Sequence, residues 1–217
     1  MTSPSTTSAG AASAGATSAS TQTAAARWPA GSRTASVRAT TRKFATGVTV
    51  LTCSRDEGTH GVTVSTLTLA SMKPPMVSVA LRRDSQGLAA LLAAGTFAVN
   101  VLGSQQDPLA RHFARSDRGE GLTRPGRGVW AGHTADGVPV IGGAVGWLQC
   151  RVTRTVPAGD HELVLGLVTD ARLGTAEVPL LNFAGALHRL PAPSAPASGA
   201  LAPSTPAAAP PDDTTRS

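Results

Sequence analysis

The run G-V-T-V-S-T-L-T-L-A-S-M-K-P-P, from Gly61 to Pro75, sets the reading of the whole chain. Its first half alternates apolar and polar residues and is rich in β-branched side chains, the pattern of a half-buried strand. Its second half passes through small hydroxyl residues into a double proline, which cannot donate to a ladder. A strand therefore enters, and Leu67 to Lys73 reads as a bent connection rather than a central strand. Thr63, Ser65, Thr66, Thr68 and Ser71 can offer hydroxyl and N–H groups to a flat polar ring, although a threonine-rich strand is by itself simply a strand.

Working outward, G-V-T-V-L-T-C-S from Gly47 alternates in the same way, and the turn cluster from Arg55 to Gly58 joins it to the strand as a hairpin. Val37 and Phe44, seven apart, predict a short opening helix over Val37–Ala45. Downstream, Met76–Arg82 is the next strand. Asp84 or Ser85 can cap a short helix that Gly95 ends, and Thr96–Leu102 is a buried strand. Ser104 is placed to cap a second helix carrying Leu109 and Phe113. Residues 115–128, rich in Gly and Arg, read as a loop. Long strands are expected over Val138–Ile141, Ala144–Val156, His161–Leu173 and Leu180–Leu190. About seven strands and three short helices, mostly antiparallel neighbours, make a small β-barrel with peripheral helices the natural architecture.

Composition bounds this body. Residues 1–36, almost all Ala, Ser, Thr and Gly, and residues 191–217, rich in Pro, Ala, Ser and Thr, bury too little apolar surface to offset their ordering entropy and read as disordered tails. Residues 37–190 are enough for one core. The net charge of the 217-residue chain is +6. Within the body, 16 Lys and Arg stand against 11 Asp and Glu, with the arginines spread singly or in pairs. That suits an anionic small ligand better than a nucleic-acid backbone. With no Tyr and only 4 Phe, the stacking platforms of an oligonucleotide-binding barrel are nearly absent. Cys53 and Cys150, far apart in alternating apolar runs, are expected as buried free thiols. The apolar stretch Leu88–Leu102 is broken by Gly95, Thr96 and Asn100, so no membrane helix is expected, and the N-terminus lacks the apolar run of a secretory signal. A cytoplasmic protein follows as the expectation.

Two further segments carry chemistry. Arg82-Arg83-Asp84-Ser85-Gln86-Gly87 puts two guanidinium groups and a hydroxyl at a helix N-terminus, where unpaired N–H groups and the positive dipole end suit a phosphate. An ordinary capped helix with solvated arginines would look the same. Gly159-Asp160-His161-Glu162 sets an imidazole at a strand start on the barrel rim, where a histidine can equally be structural. His60, His112, His133, His161, His188 and the two cysteines show no metal-ligand spacing. No G-x-G-x-x-G follows a strand, and neither a phosphate-binding Walker loop nor a G-x-S-x-G elbow is present.

Each signal is weak alone, but their order is specific. F-A-T-G-V-T-V-L-T from Phe44, H-G-V-T-V-S-T from His60, P-P-M-V from Pro74, R-R-D-S from Arg82, F-A-V-N-V-L from Phe97, L-A-R-H-F-A from Leu109, G-V-P-V-I from Gly137, G-D-H from Gly159 and P-L-L-N-F from Pro179 together resemble the flavin reductase family. The resemblance covers about residues 38–190. It implies the FMN-binding split barrel, an antiparallel Greek-key barrel that forms a homodimer. It also implies an NAD(P)H-dependent reductase of FMN or FAD that supplies reduced flavin to a partner flavin-dependent monooxygenase, and no nucleic-acid or membrane partner. By similarity Thr63, Val64, Ser65, Thr66 and Leu67 lie along the isoalloxazine, with Ala70 and Ser71 following. Ser85, Gln86 and Gly87 form the phosphate turn, and His112 with Phe113 approaches the phosphate side or the neighbouring subunit. His161 orients the nicotinamide of NADH or NADPH. Hydride transfer is chemistry the cofactors carry themselves, so the protein mainly stacks two rings.

Departures from the family pattern stand at Ser65, often Asn, at Leu67, often aromatic, at Gly87, often Thr, and at Asn182-Phe183, often an aromatic pair. Two lost hydrogen bonds at about 1 kcal/mol each weaken flavin binding more than tenfold. A flavin exchanged like a substrate is therefore expected. The alternative is a protein that keeps its flavin and reduces another acceptor, or one that binds flavin without turnover.

Overall fold

A computed structural model describes residues 30–55, 58–115 and 129–191. The two tails over 1–29 and 192–217, positions 56–57 of the first hairpin turn and the loop over 116–128 lie outside the described residues. The chain divides into two compact units, Met1–Ala39 and Thr40–Ser217. Helix α1 (Ala30–Thr41) lies almost wholly in the first. It begins seven residues before the expected Val37 and stops before Lys43, where a turn takes over. Ala, Ser and Arg continue a helix more readily than the Val37–Phe44 spacing alone indicates.

In the second unit, strands β1 (Thr46–Gly47), β2 (Thr49–Arg55), β3 (Gly58–Val64), β4 (Thr68–Met72) and β5 (Pro75–Arg82) lead to helix α2 (Gln86–Ala94) and strand β6 (Thr96–Val101). Helix α3 (Asp107–Ala114), β7 (Trp130–His133), β8 (Pro139–Ile141), β9 (Gly146–Ala158), β10 (His161–Leu173), β11 (Leu180–Phe183) and β12 (Ala186–Arg189) complete the order. A seven-stranded sheet runs β3-β2-β6-β9-β10-β5-β4, with every pairing antiparallel. Small sheets β1-β11-β12 and β7-β8 accompany it.

The two edge strands of the large sheet, β3 and β4, are consecutive in the chain and joined by residues 65–67. The ladder stops at Val64 and resumes at Thr68. Across that gap the Thr66 hydroxyl donates to the Ala80 carbonyl of β5 at 2.9 Å and accepts from its N–H at 3.3 Å. The side-chain bond thus extends the β4–β5 pairing past the break, in an all-antiparallel sheet that fits the split barrel expected.

Alternation fills the interior. On β5, Val77, Val79 and Leu81 point inward, and they pack with Leu51, Phe97 and Val164. Helix α2 closes this core with Leu88 and Leu91. Its start is capped by Ser85, whose Oγ accepts from Leu88 N, and Gly95 ends it in the left-handed region at φ 68°. At Gly166 a Cβ would stand 2.7 Å from Cζ of Phe97, so the missing side chain is what admits that ring. A second core lies under α3, where Val48, Val50, Leu102, Phe113, Ile141 and Leu180 meet. Strand β2 thus serves both cores, Leu51 and Cys53 on one face and Val50 on the other. Buried Asn100 ties the layers: its amide donates to Val50 O at 3.0 Å and to Thr52 Oγ1 at 3.1 Å, and its carbonyl accepts from Ile141 N at 2.8 Å.

Several expectations need correction. Leu67–Lys73 contains a true strand, β4, but at the sheet edge and with a register shift between Leu69 and Ser71. The prolines fall in the turn after it and at the first residue of β5, so they leave the β4 ladder intact. Leu180–Leu190 is a hairpin, β11 and β12, turning at Ala184 (φ 53°) and Gly185 (φ 80°). Ser104 does not cap α3, which begins three residues later at Asp107, with Gln106 before it and Pro108 in the first turn. Twelve strands are formed among the described residues instead of about seven, because short pieces such as β1 and β7 follow from tertiary pairing and leave no periodic signal. Cys53 and Cys150 are buried and unbridged, as expected.

Candidate functional site at the split of the barrel

Because no strand continues through residues 65–67, the N–H groups of Ser65, Thr66 and Leu67 take no part in a ladder. They form a corner facing the end of β5. Leu67 is half-buried against the barrel core. Thr68 Oγ1 and Ser78 Oγ lie 2.7 Å apart beside it, and Ser71 accepts from Lys73 N at 3.1 Å. Ala70 is exposed on β4.

Two other predicted segments reach the same end of β5. Past Arg82 the chain turns into α2, where Ser85 donates to Arg82 O at 2.7 Å and accepts from Leu88 N at 3.2 Å. Its hydroxyl is thereby committed on both sides, and what the turn offers an anion is the N–H groups of exposed Gln86 and buried Gly87. The glycine has a steric reason: a Cβ there would press on Val62 at 3.1 Å. Threonine, expected from the family pattern, would need the Val62 side chain to give way by a few tenths of an ångström.

His161 is the first residue of β10 and pairs with Arg82. Gly159 (φ 64°) and Asp160 form the two-residue turn between β9 and β10, a conformation glycine supplies at little cost. His161 Nδ1 lies 2.8 Å from Asp160 Oδ1. That hydrogen bond holds the Asp160 carboxyl below the ordinary aspartate range, and the charges of His161 and Arg82 add to it. Arg83 N donates to Asp160 O at 3.1 Å, fastening the turn to β5.

Arg82 and Arg83, and Arg111 on α3, all have carboxylate partners. Arg82 forks onto Asp84 at 2.7 and 3.1 Å, Arg83 lies 3.5 Å from Glu162, and Arg111 lies 4.0 Å from Asp107. Asp84 was visible two residues from Arg82. The Glu162 contact depends on β10 lying beside β5, which no local pattern announces.

Three predicted residues play other parts. The Thr63 hydroxyl donates to Ala110 O at 2.8 Å and so fastens α3 to β3. Val64 faces the barrel core, leaving only its backbone near the corner. Phe113 has no exposed surface and belongs to the second core, which corrects its placement beside the ligand. Its ring meets the half-buried His112 edge-on, centroids 5.0 Å apart, and helps orient that histidine. A separate cavity of about 400 Å³ is lined by Gly103, Ser104, Gln106, Gly143, Ala176 and Val178 and touches none of the corner residues.

These parts suit a flat heterocycle with a phosphate: a row of unpaired N–H groups, a helix N-terminus beside two arginines, and an imidazole at the rim. The comparisons with known proteins agree. Residues 41–191 match the flavin reductase like domain. An NADPH-flavin oxidoreductase of Streptomyces viridifaciens is 38% identical over 157 residues, 72% of this chain and 80% of its own length. The reductase component of the 4-hydroxyphenylacetate 3-monooxygenase of Thermus thermophilus is 33% identical over 152 residues, 70% of this chain and 93% of its own. The crystal structure of the flavin reductase component of a bacterial two-component tryptophan halogenase superposes with a TM-score of 0.67 at 32% identity, over 73% of this chain and 98% of that one. With the family model matched over residues 41–191 and a relative 38% identical over 72% of the chain, this chain belongs to the flavin reductase family.

Proposed function

We infer that this protein is an NAD(P)H-dependent flavin reductase, reducing FMN or FAD and supplying reduced flavin to a partner flavin-dependent monooxygenase. The observation that carries the reading is the interrupted ladder at residues 65–67, flanked along β5 by the start of α2 and by His161. In this reading the N–H groups of Ser65, Thr66 and Leu67 hold the polar edge of the isoalloxazine. Gln86 and Gly87 hold the phosphate through their N–H groups, with Arg82 and Arg83 adding positive charge. His112 faces the phosphate side, and His161 orients the nicotinamide. Bound flavin supplies the two-electron acceptor chemistry. The chain supplies orientation, a dry wall of Leu67 against the core, and donors for negative charge.

The functional unit in this reading is residues 37–190, working as a homodimer in the cytoplasm without nucleic-acid or membrane partners. Strand β4 supports the dimer. It is an edge strand with no charged residue, and Leu69 and Met72 are 63% and 68% exposed. Natural edges of that kind are ordinarily covered. Among the described residues no helix is long and apolar enough to cross a membrane.

The test is steady-state oxidation of NADH and NADPH by the full chain while FMN or FAD is raised from below the protein concentration to a large excess. Turnover that saturates with free flavin is expected. Flavin binding without oxidation of either coenzyme would refute the reductase reading.

A further inference from the structure

The Gly159-Asp160-His161 turn specifies more than the presence of an imidazole at the rim. Two fixed points hold the Asp160 backbone: the tight turn after Gly159, and the bond from Arg83 N to Asp160 O at 3.1 Å. Its carboxylate therefore meets the neighbouring ring from a set direction, Oδ1 to Nδ1 at 2.8 Å. An ionised carboxylate can only accept, so Nδ1 must carry the hydrogen. In the neutral imidazole that leaves Nε2 with a lone pair, and no other hydrogen bond to the ring is formed among the described residues. Across the ladder from His161 stands Arg82, engaged with Asp84, and the next residue on the strand, Glu162, is engaged by Arg83. None of these puts a donor on Nε2. The rim thus presents an acceptor, and an acceptor rejects carbonyl oxygens and takes N–H groups.

We propose that Asp160 is a positioning residue that locks His161 in its Nδ1–H tautomer, so that Nε2 accepts a hydrogen bond from the carboxamide N–H of the nicotinamide. This rests on the reading that His161 faces the nicotinamide. The lowered Asp160 carboxyl agrees with it, since an ionised carboxylate accepts from a ring N–H and has no hydrogen to donate. The side chain of Asp160 is 87% exposed, so its removal leaves packing intact.

Two measurements on the full chain test the proposal. In nitrogen NMR of protein carrying isotope-labelled histidine, with His161 assigned by its loss in His161→Gln, the neutral ring is expected with Nδ1 protonated. In Asp160→Ala, Nε2 is expected to carry the hydrogen instead. In kinetics, NADH is compared with its acetylpyridine analogue, in which a methyl group replaces the carboxamide amino group. One lost hydrogen bond predicts a preference for NADH of roughly tenfold in kcat/KM beyond the analogue's intrinsic reactivity. That excess should collapse to within about twofold in Asp160→Ala and persist in Asp160→Asn, whose amide oxygen still accepts from Nδ1–H. A wild-type ring protonated on Nε2 would overturn the proposal, as would a coenzyme preference unchanged in Asp160→Ala or lost equally in Asp160→Asn. The NMR readout is independent of turnover. Failure of the reductase reading would appear separately, as a protein that oxidises neither coenzyme.

Discussion

The barrel ties its strands together in two different ways. Between β9 and β10 the tie is a ladder running from Ala158 and His161 to Gly146 and Leu173. Packing is tight enough there that Gly166 leaves room only for the Phe97 ring. Between the β3–β4 connection and β5 the tie is one threonine hydroxyl bonded to Ala80. The first seam spends its N–H groups on its own strands, and the second leaves three of them over. In the proposed reading ligand recognition belongs to the part where the backbone is incompletely paired, and the long β9–β10 ladder, with its two register shifts, supplies the rigidity around it.

The strongest challenge to this contrast is Gly166→Val, which forces methyl groups against Phe97 and Cys150. Overpacking of that kind is expected to cost about 3 kcal/mol in urea unfolding. Tolerance within about 1 kcal/mol would mean the paired seam is softer than its geometry indicates. At the split, Thr66→Val should invert the pattern. Stability falls by only about 1–2 kcal/mol, while flavin affinity, read by fluorescence titration, falls more than tenfold as the corner loses its tie to β5. Equal losses in both properties would erase the distinction between the seams.

A third test returns to the paired seam through pH. Burial pushes the Cys150 thiol up from 9.0 to about 12. The folded protein therefore keeps this proton where the unfolded chain releases it, and the contribution is complete below 9.0 and lost progressively as pH rises toward 12. At one pH unit above the unfolded value the loss is about 1.4 kcal/mol, and Cys150→Ala should flatten that part of the curve. The smallest effect is a baseline outside both seams. Ala184 holds a left-handed φ of 53° in the β11–β12 turn. Relief of about 1–2 kcal/mol in Ala184→Gly, less about 0.5–1 kcal/mol of added chain freedom, leaves a gain of roughly 0.5 kcal/mol in thermal unfolding. Flavin affinity should not move.

The legible parts of the sequence were those with local physics behind them. Alternation gave the β2–β3 hairpin and the long β9 and β10, and Ser85 with Gly95 bounded α2 within a residue. The order of short motifs then gave the family. Pairings between distant strands were illegible, because nothing in Arg82 or Thr66 says that each will lie beside β10 or Ala80. Phe113 shows the same limit. Motif order put it near the ligand, yet its ring is needed under α3, and only neighbouring His112 reaches the surface.

The two buried sulfurs have one more consequence. Reduced flavin that escapes into aerated water generates hydrogen peroxide, so a protein that hands it over works in a corrosive medium of its own making. Peroxide attacks thiolates and exposed thioethers. Cys53 and Cys150 are sealed inside the barrel, and Cys150 stays protonated up to about 12. Among the described residues the most exposed sulfur is that of Met72, on the edge strand β4, while Met76 beside it on β5 is half-buried. Oxidative ageing should therefore begin at that edge, turning an apolar contact surface polar while the interior remains chemically intact.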